Sequence, residues 1–270
     1  MSKMKSELMK GKRGLIMGVA NDKSIAWGMA KALHEHGAEM AFTYQGDAFG
    51  KRVKPLAESL GSNVLIDCDV SKEEDLDNLF AVLKQEWGEI DFVIHAIAYS
   101  DKEELKGRYV DTSLANFQNS MHISCYSFTS VMRRAAPMMK VGSSAVTLSY
   151  YGAEKAMPNY NVMGVAKAAL ESSVRYLAAD LGQDGIRVNA ISAGPMRTLA
   201  GAVIGSARTT FKYNQKTAPL QRTVELEELG GAGLYLLSDL GGAVTGEIHY
   251  VDCGFNAVGM IPHDALKEFG

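Results

Sequence analysis

Short apolar runs alternate with amphipathic helical stretches along nearly the whole chain, and this rhythm constrains the fold more than any single motif. The run Gly14–Met17 precedes a helical pattern over Ile25–His36, Glu39–Tyr44 precedes one near Phe49–Leu60, and Asn63–Asp67 precedes Glu73–Trp87. Asp91–His95 leads to a helical stretch over Leu114–Ala136, and Ser144–Ser149, Arg187–Ser192 and Glu247–Val251 supply three more strands. Alternation of this kind needs crossover connections, so the strands lie parallel, are buried on both faces and are joined by right-handed crossovers. With 47% apolar residues, 270 positions suffice for one large core, and no repeat, low-complexity tract or Pro/Ser-rich linker divides them. We therefore expect an α/β fold: a single domain over residues 1–270 built on a doubly wound parallel sheet of about seven strands, with helices on both faces.

One stretch breaks the rhythm. Leu199–Thr217 is rich in Gly, Ala, Ser and Thr and lies between a strand and a later helix. Such insertions beyond strand ends serve as substrate-binding lids or as plain surface excursions, and composition leaves both open. Within it Arg208, Lys212 and Lys216 fall at i, i+4 and i+8, one basic stripe if the segment is helical, and either a docking face or a solvated one.

Composition also excludes. A net charge of −3 argues against nucleic-acid binding as the main business. The lysines of the first residues are followed by no apolar stretch of the signal-peptide kind, and no run approaches the ~20 apolar residues of a membrane span. Cys68, Cys125 and Cys253 are odd in number and scattered, which fits a reducing, cytoplasmic setting. The six histidines form no ligand cluster, so no metal is expected.

Chemistry enters with Tyr160 and Lys167, seven residues apart in a run that opens at Met157 and Pro158. Pro158 marks a helix start, and Ala166, Ala168, Ala169 and Leu170 are strong helix formers. Seven positions return to nearly the same helix face, so a phenol and a long ammonium project into one space. Upstream, the first strand runs into Gly18 and a loop reaching Gly28, the strand–turn–helix order that faces a pyrophosphate with a helix N-terminus. The compact G-x-G-x-x-G fingerprint is absent, and a structural turn would account for these glycines equally well. Ser24 is placed to cap the helix or to offer its hydroxyl to a phosphate. The second strand ends at Gln45 with neither an acid nor an adjacent Arg, and Asp69 and Val70 follow the third strand, suited to the amino group and ring of an adenine. This Rossmann-type arrangement favours NADH over NADPH as the cofactor.

Taken together these residues resemble the short-chain dehydrogenase/reductase superfamily and, within it, the divergent branch of bacterial type II enoyl-acyl-carrier-protein reductases. The resemblance spans about Leu8 to Gly259 and rests on Gly18-Val-Ala with Ser24-Ile-Ala, Ser149-Tyr-Tyr-Gly-Ala-Glu, Pro158-Asn-Tyr-Asn-Val-Met-Gly and Arg187-Val-Asn-Ala-Ile-Ser-Ala-Gly-Pro. Ordinary members of the superfamily space Tyr and Lys four apart, whereas spacing by seven marks the enoyl reductase branch. The resemblance implies a catalytic trio: Tyr160 at the substrate carbonyl, Lys167 on the nicotinamide ribose, and Tyr150 as second tyrosine. It implies cofactor contacts from Gly18, Ser24, Ile25, Gln45, Asp69, Val70, Ile97, Met196, Arg197, Thr198, Leu199 and Ala200, and a substrate-side position for Ser100. It further implies an acyl carrier protein as partner and a homotetramer. One departure stands out: Cys253 occupies a position where the family's pattern has Gly. Two other functions compete, a carbonyl or 3-ketoacyl reductase on the same fold and a non-catalytic dinucleotide sensor.

Overall fold

The computed structural model describes residues 6–198 and 207–260. Seven strands form one sheet: β1 Arg13–Met17, β2 Glu39–Tyr44, β3 Leu65–Asp67, β4 Ile90–His95, β5 Met139–Ser149, β6 Arg187–Ala193 and β7 Ile248–Val251. Their order is β3-β2-β1-β4-β5-β6-β7, and every pairing is parallel. Side chains alternate across the sheet. Leu15, Met17, Val93, Ala145 and Ala190 face one side, against α3 (Glu73–Trp87), α5 (Ser127–Ala135) and α6 (Val162–Gly182). Ile16, Phe92, Ile94, Val146 and Ile191 face the other, against α1 (Ile25–Glu35), α2 (Gly46–Ser59) and α8 (Leu226–Leu237). The remaining helices are α4 (Leu114–Met121) and α7 (Ala207–Thr217). This is the three-layer doubly wound architecture that the strand–helix rhythm calls for.

The winding reverses between β1 and β4, where Met17 stands opposite His95 and the Ala96 N–H donates to the Met17 carbonyl at 3.0 Å. A crevice therefore opens beyond the carboxyl ends of these two strands, the usual ligand position in such sheets. On the far face α1 and α8 approach closely because glycines line the contact. A Cβ on Gly230 would lie 2.8 Å from the Gly28 carbonyl oxygen, and one on Gly233 2.6 Å from Met29.

Two local expectations need correction. The helix expected from Pro158 begins at Val162, and Tyr160 lies in the turn before it. Asn159 (φ 59°) and Asn161 (φ 40°) are left-handed, a conformation that a right-handed helix cannot continue and that Asn tolerates better than most residues. The stretch Leu114–Ala135 is helical as expected but widens into a π-turn at His122–Tyr126. Such bulges cluster at functional sites, and here α4 and α5 pass beside the ends of β4 and β5.

Candidate active site

The end of β5 carries the two tyrosines toward each other. Tyr150 is extended (φ −150°, ψ 148°) at the strand exit, and its ring meets Tyr160 edge-on, centroids 5.0 Å apart at 77°. Tyr151 turns the other way, onto Phe255 and Tyr250. Room for the Tyr160 ring is made by Gly152, where an added Cβ would lie 2.5 Å from the ring. Leu105, Val162 and Met163, with Phe117 and Met157 at the margin, wrap the pair in an apolar pocket. Tyr160 is only 7% exposed, and burial, then Tyr150 and Glu171, push its phenol well above the ordinary range. Burial raises Tyr150 to about 12. Both rings therefore stay neutral hydrogen-bond donors at neutral pH.

Lys167 reaches the same place by a different route from the one periodicity implies. It projects from α6 toward the sheet, where its Nζ donates to the Leu148 carbonyl at 2.7 Å, two residues before Tyr150. It is 6% exposed, and burial lowers its pKa to about 8. One helical turn on, buried Glu171 accepts from the Ser149 hydroxyl at 2.5 Å. At the end of β4 lies His95, fully buried between Thr147 (3.1 Å) and Ser127 (2.8 Å), held neutral by burial and by Lys167 with its pKa near 3.

The segment leaving β4 is tied to the α4–α5 helix by a row of polar side chains. Asn116 Oδ1 accepts from the Asp101 N–H at 3.0 Å, the Ser120 hydroxyl donates to Ser100 Oγ at 2.9 Å, and Ser124 Oγ accepts from the Tyr99 N–H at 2.9 Å. Ser100, expected to face substrate, is buried in this row, and its hydroxyl is engaged by α4.

The dinucleotide side is built at the crevice. Gly18 (φ 96°) approaches β4 so closely that a Cβ would lie 2.1 Å from the Ala96 carbonyl oxygen, so only Gly fits there. Of the two uses open to Ser24, capping is not taken up: Oγ accepts instead from the N–H groups of Ala20 (2.9 Å) and Asn21 (3.1 Å) and closes the loop. With its oxygen engaged by two donors, the hydroxyl is left to donate, which suits an anion at the start of α1. Ile25 and Met196 pack on the core of that face, and Ile97 and Val70 on the opposite one. Arg197 lies over the Phe211 ring of α7 at 4.7 Å, and the Thr198 N–H donates to the Met196 carbonyl. Leu199 and Ala200 lie outside the described residues, as do residues 199–206 of the expected lid and the side chain of Arg208.

Beyond the ends of β2 and β3 a cavity of about 380 Å³ is lined by Gln45, Gly46, Asp67, Asp69, Lys72 and Asp75. Asp67 accepts from the Gly46 N–H at 2.8 Å. Ser71, and then Gln45 and Lys72, outweigh burial and hold Asp69 below the usual carboxylate range. The acid missing from the end of β2 is thus delivered by the neighbouring strand. Sequence reasoning passed over Asp67 because the rule it applied looks along one strand; the parallel register Tyr44↔Asp67 is what brings it there. These features fit a dinucleotide: a helix N-terminus, a glycine approach, a hydroxyl donor and an acid-lined far end.

Comparison with known proteins agrees with this geometry. Residues 18–256 match the family model described as "Enoyl-(Acyl carrier protein) reductase". The chain belongs to that family. Enoyl-[acyl-carrier-protein] reductase [NADH] 1 of Rhizobium meliloti is 62% identical over 260 residues, which cover 96% of each chain. Among solved structures, an enoyl-(acyl-carrier-protein) reductase of Anaplasma phagocytophilum in complex with NAD is 58% identical with a TM-score of 0.92, covering 97% of this chain and 98% of its own. The Bacillus cereus enoyl-acyl carrier protein reductase with NADP+ and an indole naphthyridinone is 47% identical with a TM-score of 0.92, covering 94% of this chain and 100% of its own. Within this enoyl reductase family framework, Ser149 and Gly152, both inside the motif at 149–154, stand beside the tyrosine–lysine group together with His95 and Glu171, which no motif rule singles out. Among the described residues no helix is long and apolar enough to cross a membrane.

Proposed function

We propose that this chain is an NADH-dependent enoyl-[acyl-carrier-protein] reductase, reducing a trans-2-enoyl thioester in fatty acid elongation. The observation that carries the reading is the neutral Tyr150–Tyr160 pair, Tyr160 buried and Tyr150 partly so, set with Lys167 at the end of β5, in a chain 62% identical over 260 residues to a relative of that name. When bound in the crevice, reduced nicotinamide supplies the hydride that goes to the substrate's β-carbon. The protein's part is orientation and electrostatics. Tyr160 donates a hydrogen bond to the thioester oxygen as negative charge develops there, and a neutral phenol in a water-poor pocket is a preorganised donor for that charge. Lys167 holds the nicotinamide ribose and adds positive potential, while Tyr150 packs the second wall. The enolate is completed by a proton at the α-carbon. Leu105, Phe117, Met157 and Met163 offer the acyl chain an apolar surface.

At the other end Gln45, Asp67 and Asp69 receive the adenosine, and three carboxylates around that cavity disfavour the extra phosphate of NADPH. Gly18, Ser24, Ile25, Val70, Ile97 and the run Met196, Arg197 and Thr198 line the cofactor between the two ends. Residues 199–217 form the lid. Its helix α7 presents exposed Lys212 and Lys216, in register with Arg208, to the acyl carrier protein. The family resemblance implies a homotetramer, whose interfaces would draw on exposed Tyr126 in the π-turn, Val165 and Tyr176 on α6, and Tyr235 and Leu240 by α8. The setting is the cytoplasm.

The test is NADH oxidation with a crotonyl or longer enoyl thioester beside a 3-ketoacyl thioester. Turnover of the enoyl substrate alone is expected. Preference for the ketoacyl substrate, or none for either, overturns the reading.

A further inference from the structure

Glu171 is a buried carboxyl with no part in the chemistry above, yet it lies amid the residues that carry it. On α6 it follows Lys167 by one turn, so the two share a face turned toward the sheet, and both are 6% exposed. They grip consecutive residues of β5: Lys167 Nζ donates to the Leu148 carbonyl at 2.7 Å, and Glu171 accepts from the Ser149 hydroxyl at 2.5 Å. Tyr150 is the next residue along. A carboxyl kept this deep, anchored to the strand that delivers one tyrosine and adjoining the lysine, has a use beyond packing.

We propose that Glu171 is the buried counter-charge that keeps Lys167 an ammonium, a positioning residue for it that also adds to the burial holding Tyr160 neutral. This rests on the enoyl reductase reading for the roles of Tyr160 and Lys167. Each packed element contributes groups to the balance. Burial raises the Glu171 carboxyl above the usual carboxylate range, and against it work the Ser149 hydroxyl from β5 and then Arg175 and Lys167 from α6. Glu154, from the turn after β5, acts with burial but is engaged by the hydroxyl of Tyr250 on β7. Around Lys167, His95 at the end of β4 is neutral and Cys125 in the π-turn is a thiol raised by burial. Against the burial that strips Lys167 of its proton act first Cys125 and then Glu171, which is the one carboxylate acting on Lys167 among the described groups. After burial and Tyr150, the same negative charge adds to what holds the Tyr160 proton in place.

The test is the pH dependence of Glu171→Gln, which keeps an acceptor for Ser149 and removes only the charge. In the wild type the alkaline limb of kcat/KM is expected where Lys167, lowered by burial to about 8, loses its proton. At the about 6 Å between i and i+4 helix neighbours, and an effective dielectric of about 20, one charge displaces a pKa by roughly two units. The limb should therefore move down by about one unit or more in the variant. NADH affinity, followed by nucleotide fluorescence without substrate, should weaken at correspondingly lower pH. A variant whose pH profiles superimpose on the wild type, in both turnover and NADH binding, overturns the proposal, because a purely structural Glu171 predicts that result. If the variant does not fold, infrared spectroscopy of the wild type at pH 7 decides. An ionised Glu171 leaves no protonated-carboxyl band, and such a band overturns the proposal. Should the wild type fail to reduce enoyl thioesters, the functional reading falls, while the NADH-binding arm still tests Glu171.

Discussion

Tyr160 owes its position to backbone strain and to missing side chains. Two left-handed asparagines flank it, and Gly152 leaves the space its ring fills. Removing its hydroxyl while keeping the ring isolates the hydrogen bond to the developing oxyanion. Tyr160→Phe is expected to lower kcat by roughly 10²-fold with NADH affinity unchanged, measured by steady-state rates beside fluorescence titration. Full activity on an enoyl thioester would remove the role assigned to Tyr160. Cys253 tells a different story. It is left-handed (φ 61°) and 8% exposed, where the related pattern carries Gly. Cys253→Ala keeps the strain and loses the buried sulfur, whereas Cys253→Gly loses the sulfur but relieves about 1 kcal/mol of backbone strain. In chemical denaturation the Gly variant should therefore prove more stable than the Ala variant, against the order that side-chain burial alone would give.

At the scale of elements, the proposed basis of cofactor choice lies in two adjacent strands. Gln45 closes β2, Asp67 closes β3, and the register that pairs Tyr44 with Asp67 puts both at one cavity. Gln45→Arg brings a bidentate phosphate partner to this rim. The ratio of kcat/KM for NADH to that for NADPH should fall about tenfold or more, since a charge-assisted hydrogen bond contributes roughly 1.5–3 kcal/mol. Because Asp67 would pair with the new guanidinium, the shift should grow when Asp67→Asn is added. A wild-type ratio already favouring NADPH would contradict the electrostatic argument. Helix α7 of the proposed lid is tested separately. Reversing Arg208 and Lys212 to Glu should raise KM several-fold for carrier-linked substrate while sparing the coenzyme A thioester. Equal effects on both substrates would remove the docking role.

For the whole molecule, the clearest expectation is acid lability centred on His95. This base is buried between Thr147 and Ser127 at the contact of β4, β5 and α5, and its folded pKa of about 3 lies below the ordinary 6.5. Above 6.5 folded and unfolded chains both carry it neutral, and its contribution is fully present. As pH falls from 6.5 toward 3 the unfolded chain takes up a proton that the folded chain refuses, and stability declines, by on the order of 5 kcal/mol over the window. His95→Gln should flatten that decline by about one proton in urea unfolding followed from pH 7 to 4. Parallel pH curves for variant and wild type would show that His95 does not drive it.

The sequence alone determined the architecture, since short apolar runs alternating with period-3.6 stretches admit few packings other than a parallel sheet covered on both sides. All seven strands and the helices around Ile25, Glu73 and Leu114 were legible in this way; Tyr160 and Lys167 were paired by their spacing, and Tyr150 joined them only through the family resemblance. The reason for their meeting was not legible. A shared helix face was the natural inference from their spacing, but Tyr160 stands in a turn and is brought in by Tyr150, Gly152 and the end of β5. Asp67, His95 and Glu171 acquire meaning only from neighbours 21 to 52 positions away, Gly46 for Asp67, Ser127 and Thr147 for His95, and Ser149 for Glu171. Periodicity reports which face of its own element a residue occupies. Burial, register and the electrostatic partners that shift a proton equilibrium arise where elements meet, so only the tertiary structure decides them.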